Sequence, residues 1–229
     1  MAHENKKIVL KFGSSSLTSP EGGLDQHKVA FFADEIAALH SRGYDPIVVS
    51  SGAVAAGFRH IGYPSRPKHL HEKQASAAVG QALLMQAYHE HLQKYGIGVA
   101  QILLTRADFS DRRRILNALK TMQELLKHRL IPIINENDTV STDELKFGDN
   151  DTLSALVANL LKAEQLIIIT DTDGIYTEDP RRNPDAERLA RVDEITDYLW
   201  QIAGGAGSSV GTGGMRTKIE AARIATLGG

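Results

Sequence analysis

Short apolar runs alternate with stretches of helical period along almost the whole chain, and this alternation limits what it can fold into. Ile8 to Phe12 reads as a buried strand. From Leu24 the apolar positions Val29, Phe32, Ile36 and Leu39 step by three and four, with Asp25 as N-cap and Gly43 as stop. Pro46 to Ser50 is a second strand, and Ala78, Ala82, Met85, Tyr88 and Leu92 mark a long helix ending at Gly96. Val99 to Leu104 is a third strand, followed by a helix through Ile115, Leu119, Met122 and Leu126. Leu130 to Asn135 is a fourth strand, and Leu153, Leu156, Val157 and Leu160 give the next helix. The most apolar strand, Leu166 to Thr170, comes after it. Repeated strand–helix units imply a mainly parallel open sheet with helices on both faces, an α/β fold of the three-layer αβα sandwich type.

Two stretches break the rhythm. Residues 57–73 carry two prolines beyond Gly62 and four Lys or Arg side chains in all, and read as an exposed loop, while the acidic residues 136–150 read as a hairpin or binding loop. Neither has the look of an interdomain linker, so residues 1–229 are taken as one domain. Residues 215–227 form a last helical period, ahead of Gly228 and Gly229, where a doubly wound sheet would add another strand. The expectation is of a domain that lacks its last C-terminal elements.

Composition narrows the function classes. With 26 basic against 28 acidic side chains the net charge is −2, which gives no overall pull toward nucleic acid or anionic lipid. The chain has no cysteine, which removes disulfides, thiolate metal sites and cysteine nucleophiles. No apolar stretch approaches the roughly 20 residues of a membrane span, and no signal peptide is expected. Glycine alone stands out: six of the 20 fall between Gly204 and Gly214.

Ligands of open α/β sheets bind at the carboxyl ends of the strands, so the loops there are read together. Lys11-Phe-Gly-Ser-Ser-Ser16 sets a cation beside a donor-rich turn, with Lys11 on the face opposite Leu10 and Phe12. That is an anion site or a solvated lysine. Ser50-Ser51-Gly52-Ala53 is again small and donor-rich, as a helix-capping turn also would be. Asn135-Glu-Asn-Asp138 and Gly148-Asp149-Asn150-Asp151 are dense in carboxylates and amides; one N-cap explains one such residue and not three in a row. Such a cluster suits a substrate ammonium group, or the orienting of nearby lysines or a divalent metal. Thr170-Asp171-Thr-Asp-Gly174 lacks the later ligands of a calcium loop and reads as a polar turn for a ribose or metal, or as an Asx turn.

Gly211-Thr-Gly-Gly-Met-Arg-Thr-Lys218 runs straight into the last helix, a sequence whose amides and first-turn cation suit phosphate oxygens. It is not a Walker A loop, and the glycines before it do not have dinucleotide-fingerprint spacing. His69 with His71 and His89 with His91 lack zinc-pair spacing, and Arg112 to Arg114 read as a solvated face. Two lysines, a glycine loop and an acidic cluster together point to phosphoryl transfer.

In that order, Lys11-Phe-Gly-Ser-Ser, Val49-Ser-Ser-Gly-Ala-Val-Ala-Ala-Gly57, Leu104-Thr-Arg-Ala-Asp108, Ile134-Asn-Glu-Asn-Asp138, Phe147-Gly-Asp-Asn-Asp151, Thr170-Asp171, Gly174-Ile-Tyr-Thr-Glu-Asp-Pro180 and Gly211 to Lys218 resemble the amino acid kinase family, and within it the glutamate 5-kinases. The resemblance implies ATP-dependent phosphorylation of the γ-carboxylate of L-glutamate, the first step of proline synthesis, in the cytoplasm. It implies that Ser51, Asp138 and Asn150 hold glutamate with Asn135 and Asp149 nearby. Lys11 and Lys218 would neutralise the transferring phosphoryl group and Asp151 would orient both. Thr170, Asp171, Thr212, Gly213, Gly214, Met215, Arg216, Thr217 and Lys218 would receive ATP, with Mg²⁺ carried on the nucleotide and no metal ligand from the protein. Feedback inhibition by proline and a homo-oligomer, dimer or tetramer, are further expectations of the resemblance, with no membrane or nucleic-acid partner. The PUA domain that many relatives carry at the C-terminus is not expected within residues 1–229, and position 216 is Arg where Ser is also familiar. An acetylglutamate or carbamate kinase, or a nucleotide-binding module without turnover, are the alternatives; Asp138 argues against an N-acetylated substrate, which offers no ammonium group.

Overall fold

The structure is a computed structural model that describes residues 5–141, 150–178, 180, 183–203 and 214–228. Its elements in chain order are β1 (Lys7–Phe12), α1 (Ser14–Leu17), α2 (Gln26–Ser41), β2 (Asp45–Ser50), α3 (Ala53–Ile61), α4 (Leu70–Gln93), β3 (Val99–Leu104), α5 (Arg106–Ser110) and α6 (Arg112–Lys127). Then follow β4 (Ile131–Glu136), α7 (Asn150–Leu161), β5 (Gln165–Ile169), β6 (Ile175–Tyr176), β7 (Arg188–Leu189), α8 (Asp197–Ala203) and α9 (Met215–Leu227).

The first five strands form one sheet in the order β3-β4-β2-β1-β5, and every pairing is parallel. Their carboxyl ends therefore share one edge, where Phe12, Ser50, Glu136, Leu104 and Ile169 stand. The expected parallel α/β sandwich is present. Alternation along β1 divides its side chains between two cores. Ile8, Leu10 and Phe12 pack with Val29, Ile36, Leu84, Tyr88 and Leu92 of α2 and α4 on one face. Val9 packs with Ile47, Val49, Ile134, Met122, Leu126, Leu153 and Val157, under α6 and α7, on the other. This same parity sends Lys11 toward α7.

Local chemistry explains most boundaries. The Asp25 carboxylate accepts from the amides of His27 and Lys28 at the start of α2, and Gly43 takes φ +85° just beyond its end. Asp111 does the same for α6, accepting from Arg113 and Arg114. Arg112 to Arg114 are exposed, as expected of a solvated face, although Arg114 also pairs with Asp108 at 2.6 Å.

One expectation is corrected. Residues 57–73 are not a continuous loop: α3 runs to Ile61 and α4 starts at Leu70, which leaves 62–69 between them. The stretch is helical because small residues let the two helices touch backbone to backbone. A Cβ on Gly57 would lie 2.0 Å from the Ser76 carbonyl oxygen, and one on Gly80 would lie 1.7 Å from that of Ala53. Of the 136–150 segment, residues 142–149 lie outside the described residues; 136 closes β4 and a turn follows it. The hairpin of β6 and β7 and the small core of Leu199, Ala203 and Ile219 under α8 and α9 carry no strong period in the sequence and go beyond its reading. Among the described residues, no helix is long and apolar enough to cross a membrane.

Candidate active site

The site is built on the first two residues of α7. Asn150 and Asp151 are consecutive, so on a helix their side chains diverge by about 100°. One reaches the tips of β2 and β4; the other reaches β1 and α9.

Asp151 is fully buried, and Lys11, on β1 between β2 and β5, is 3% exposed. Lys11 Nζ lies 2.5 Å from Asp151 Oδ1, and Lys218 Nζ from α9 lies 3.2 Å from Oδ2. The Thr217 hydroxyl stands 2.8 Å from Oδ2 and 2.8 Å from the Gly214 carbonyl oxygen, tying the start of α9 to α7. Two ammonium groups thus converge on one carboxylate. Burying such charges is expensive without pairing. Asp151 pairs with both lysines and so sets two cations side by side, an arrangement that suits the receipt of an anion. The N-cap of α9 is Gly214, with no side chain to occupy the first amides of the helix.

Asn150 faces the other way. Its Nδ2 lies 2.9 Å from the Ser50 carbonyl oxygen, 2.9 Å from Ser51 Oγ and 2.9 Å from Asn135 Oδ1. Ser51 is held by its own amide, which donates to the Phe12 carbonyl at 3.0 Å, and Gly52 at φ +102° turns the chain into α3. Beneath it the Ser50 hydroxyl lies 3.1 Å from the Tyr88 phenol. Burial raises the pKa of that phenol far above its ordinary value, with the Ser50 contact opposing, so Tyr88 is a neutral strut. Asn135 is buried at the end of β4, and its Oδ1 also accepts from the Glu136 amide at 2.8 Å. Asp138 is half-buried in the turn after β4, its amide donating to the Glu136 carbonyl at 3.0 Å.

The structure therefore brings Lys11, Ser51, Asn135, Asn150, Asp151, Thr217 and Lys218 into one continuous network, with Asp138 at its β4 border. The other expected nucleotide residues fall in two clefts. Thr170 and Asp171 help to line one of about 430 Å³ with Ser15, Ser16, Lys28 and Phe31. Arg216 and Thr217 line another of about 500 Å³ with Thr152, Trp200 and Glu220, where the Arg216 guanidinium sits 5.9 Å from the Trp200 ring centre. Gly214 and Met215 stand at the start of α9, in the same turn. Asp149, Thr212 and Gly213 lie outside the described residues. Among the described residues, no group of three or more histidines and carboxylates is placed to hold a metal ion.

Sequence reasoning missed Gln81. It lies on α4 and its Oε1 accepts from Asn135 Nδ2 at 2.9 Å. A signal was there: Gln81 falls on the stripe of Ala77, Leu84 and Tyr88, a polar residue at a core position of a long helix.

A family model described as the amino acid kinase family matches residues 6–229. A glutamate 5-kinase of Streptococcus suis is 55% identical over 98% of this chain, which covers 63% of that protein. One from Neisseria meningitidis serogroup A is 54% identical over 98% of the chain and 61% of its own length. Glutamate 5-kinase 1 of Bacillus licheniformis is 54% identical over 97% of the chain and 61% of its own. The chain thus spans about three fifths of the length of these relatives.

Proposed function

Because the chain belongs to the amino acid kinase family, we propose that it phosphorylates the γ-carboxylate of L-glutamate with ATP as donor, opening proline synthesis in the cytoplasm. The observation that carries the reading is the pair Asn150–Asp151, which joins a polar amide pocket to a buried two-lysine cluster within one helical turn. The names of relatives about 54% identical to it support the choice of glutamate.

In this reading the substrate's carboxylate is already ionised at neutral pH, its reference pKa being about 4.3, so no general base is needed. Catalysis is then positioning and charge neutralisation. Ser51 and Asn150 bind glutamate, and the anionic Asp138 meets its ammonium group, the one positive charge of a substrate whose other charges are anionic. Lys11 and Lys218 stabilise the charge that builds on the transferring phosphoryl oxygens, and Asp151 holds both ammonium groups at the right separation. The amides at the start of α9, where the N-cap Gly214 has no side chain to occupy them, fit the phosphates of ATP. Mg²⁺, when bound, would neutralise charge on the β- and γ-phosphates, held by the nucleotide itself.

The test is to incubate the protein with Mg·ATP, L-glutamate and hydroxylamine and measure γ-glutamyl hydroxamate. Glutamate-dependent hydroxamate is the expected result. Turnover with N-acetylglutamate or carbamate and none with glutamate would overturn the reading.

A further inference from the structure

Four side-chain amides run in a single line from the sheet's outer strand to the proposed glutamate pocket. Gln81 Nε2 donates to Gln101 Oε1 on β3 at 3.0 Å, and Gln81 Oε1 accepts from Asn135 Nδ2 at 2.9 Å. Asn135 Oδ1 in turn accepts from Asn150 Nδ2 at 2.9 Å and from the Glu136 amide at 2.8 Å. Gln81, Asn135 and Asn150 are all buried.

A primary amide has a donor end and an acceptor end, so each link fixes the sense of the next. The Glu136 amide can only donate and sets Asn135 Oδ1 toward Asn150. That leaves Asn135 Nδ2 facing α4, buried, and Gln81 Oε1 is the acceptor that meets it there. With Asn135 so held, Asn150 must turn Nδ2 inward, where its two protons face three acceptors at 2.9 Å: the Ser50 carbonyl, Ser51 Oγ and Asn135 Oδ1. Asn150 Oδ1, which accepts no hydrogen bond among the described residues, is then the atom of that carboxamide open to a ligand. Ser51 Oγ, accepting from Asn150, keeps its own proton to give. The pocket is thereby set as one acceptor and one hydroxyl donor, which matches an α-amino acid with its ammonium and carboxylate groups.

The geometry points to Gln81 as a positioning residue that fixes the amide polarity of the amino-acid pocket without touching the substrate. The close approach of Gly80 to Ala53 brings Gln81, the next residue, up against the tip of β4. The identity of the ligand rests on the function proposed above; the orientation of the amides does not.

Three variants separate this role from simple packing. Gln81→Glu keeps an acceptor toward Asn135, and the exposed Gln101 can turn its amide to donate. Gln81→Met keeps the volume and offers Asn135 nothing; Gln81→Lys offers it only a donor. The expected glutamate KM is within about threefold of wild type for Gln81→Glu, raised about 5- to 20-fold for Gln81→Met and more for Gln81→Lys. The ATP KM should stay within about twofold in all three. An unchanged glutamate KM in Gln81→Met, or losses in all three variants that follow their melting temperatures and not the acceptor series, would overturn the proposal. If wild type makes no glutamyl product, the functional reading falls, and the amide order is judged by a readout that needs no turnover. The side-chain ¹H–¹⁵N signals of Asn135 and Asn150 should be slow to exchange with solvent in wild type and Gln81→Glu and fast in Gln81→Met. Equal exchange in wild type and Gln81→Met would refute it.

Discussion

Replacing Gly80 with alanine sets local and tertiary forces against each other. Gly80 sits in the middle of α4, where alanine is favoured over glycine by about 1 kcal/mol on helix propensity. On that ground the variant should be more stable. The contact with α3 says otherwise, because the new Cβ would lie 1.7 Å from the Ala53 carbonyl oxygen and 2.7 Å from the Gly57 amide nitrogen. Both obstacles are backbone, so no rotamer relieves the clash. Reaching a tolerable 3.0 Å requires the helices to part by about 1.3 Å. Overpacking of this kind costs about 1–3 kcal/mol, and a rigid obstacle puts it at the upper end. The net loss is about 2 kcal/mol, or a fall in Tm of about 4–8 °C for a chain of this size. The displacement also moves Gly52 and Ser51, so the 2.9 Å contact of Ser51 with Asn150 opens beyond hydrogen-bond range. Thermal unfolding by circular dichroism and the glutamate KM are the measurements. The Gly57→Ala/Gly80→Ala double variant should lose less than the sum of the single losses, since one separation relieves both clashes. A Tm at or above wild type, or additive losses, would refute the reasoning.

Lys218→Ala should lower kcat by about 10²–10³ while the glutamate KM changes little, as expected for a group whose charge acts in the transition state; steady-state kinetics showing equal losses in both would contradict it. Asp151→Asn removes the carboxylate charge that the buried Lys11 meets at 2.5 Å and should destabilise the fold by about 3–5 kcal/mol, a fall in Tm of about 6–20 °C. A Tm within 2 °C of wild type, on the order of measurement error, would show that the cluster relaxes. His40 offers a pH test. Burial lowers the pKa of its imidazole below 6.5, with the nearby Arg129 guanidinium adding to the effect and the contact of Nε2 with the Arg129 carbonyl at 3.1 Å opposing it. The folded state thus prefers the neutral ring, so its stabilisation is complete above the unfolded value and is lost as pH falls through the folded one. Wild type should lose more Tm than His40→Gln between about pH 7.5 and pH 5.5; parallel profiles would remove His40 from the pH response.

Much of this was legible from period and cap chemistry. The parity of β1 placed Lys11 opposite Leu10 and Phe12, and Asp25 and Gly43 marked the ends of α2. The loops after β1, β2 and β4 held the polar clusters because parallel strands deliver their carboxyl ends to one edge. The helical parts of residues 57–73 leave little trace in the sequence, since alanine, glycine and scattered basic residues give little apolar period. Their helicity comes from the α3–α4 contact, which joins residues about 25 apart in sequence and leaves no local trace.

The sequence by itself determined the class of fold, the edge that carries the site and the residue types available there, because these follow from periodicity and chain direction. The tertiary structure decided the partnerships. Lys11 and Lys218 come from the first and the last helical or strand segments of the described chain, yet they meet one carboxylate because β1 and α9 both pack on α7. Gln81 became part of the pocket only through the line from Gln101 to Asn150. Hydrogen bonds and ion pairs act over about 3 Å, and which side chains come that close is a property of packing in three dimensions.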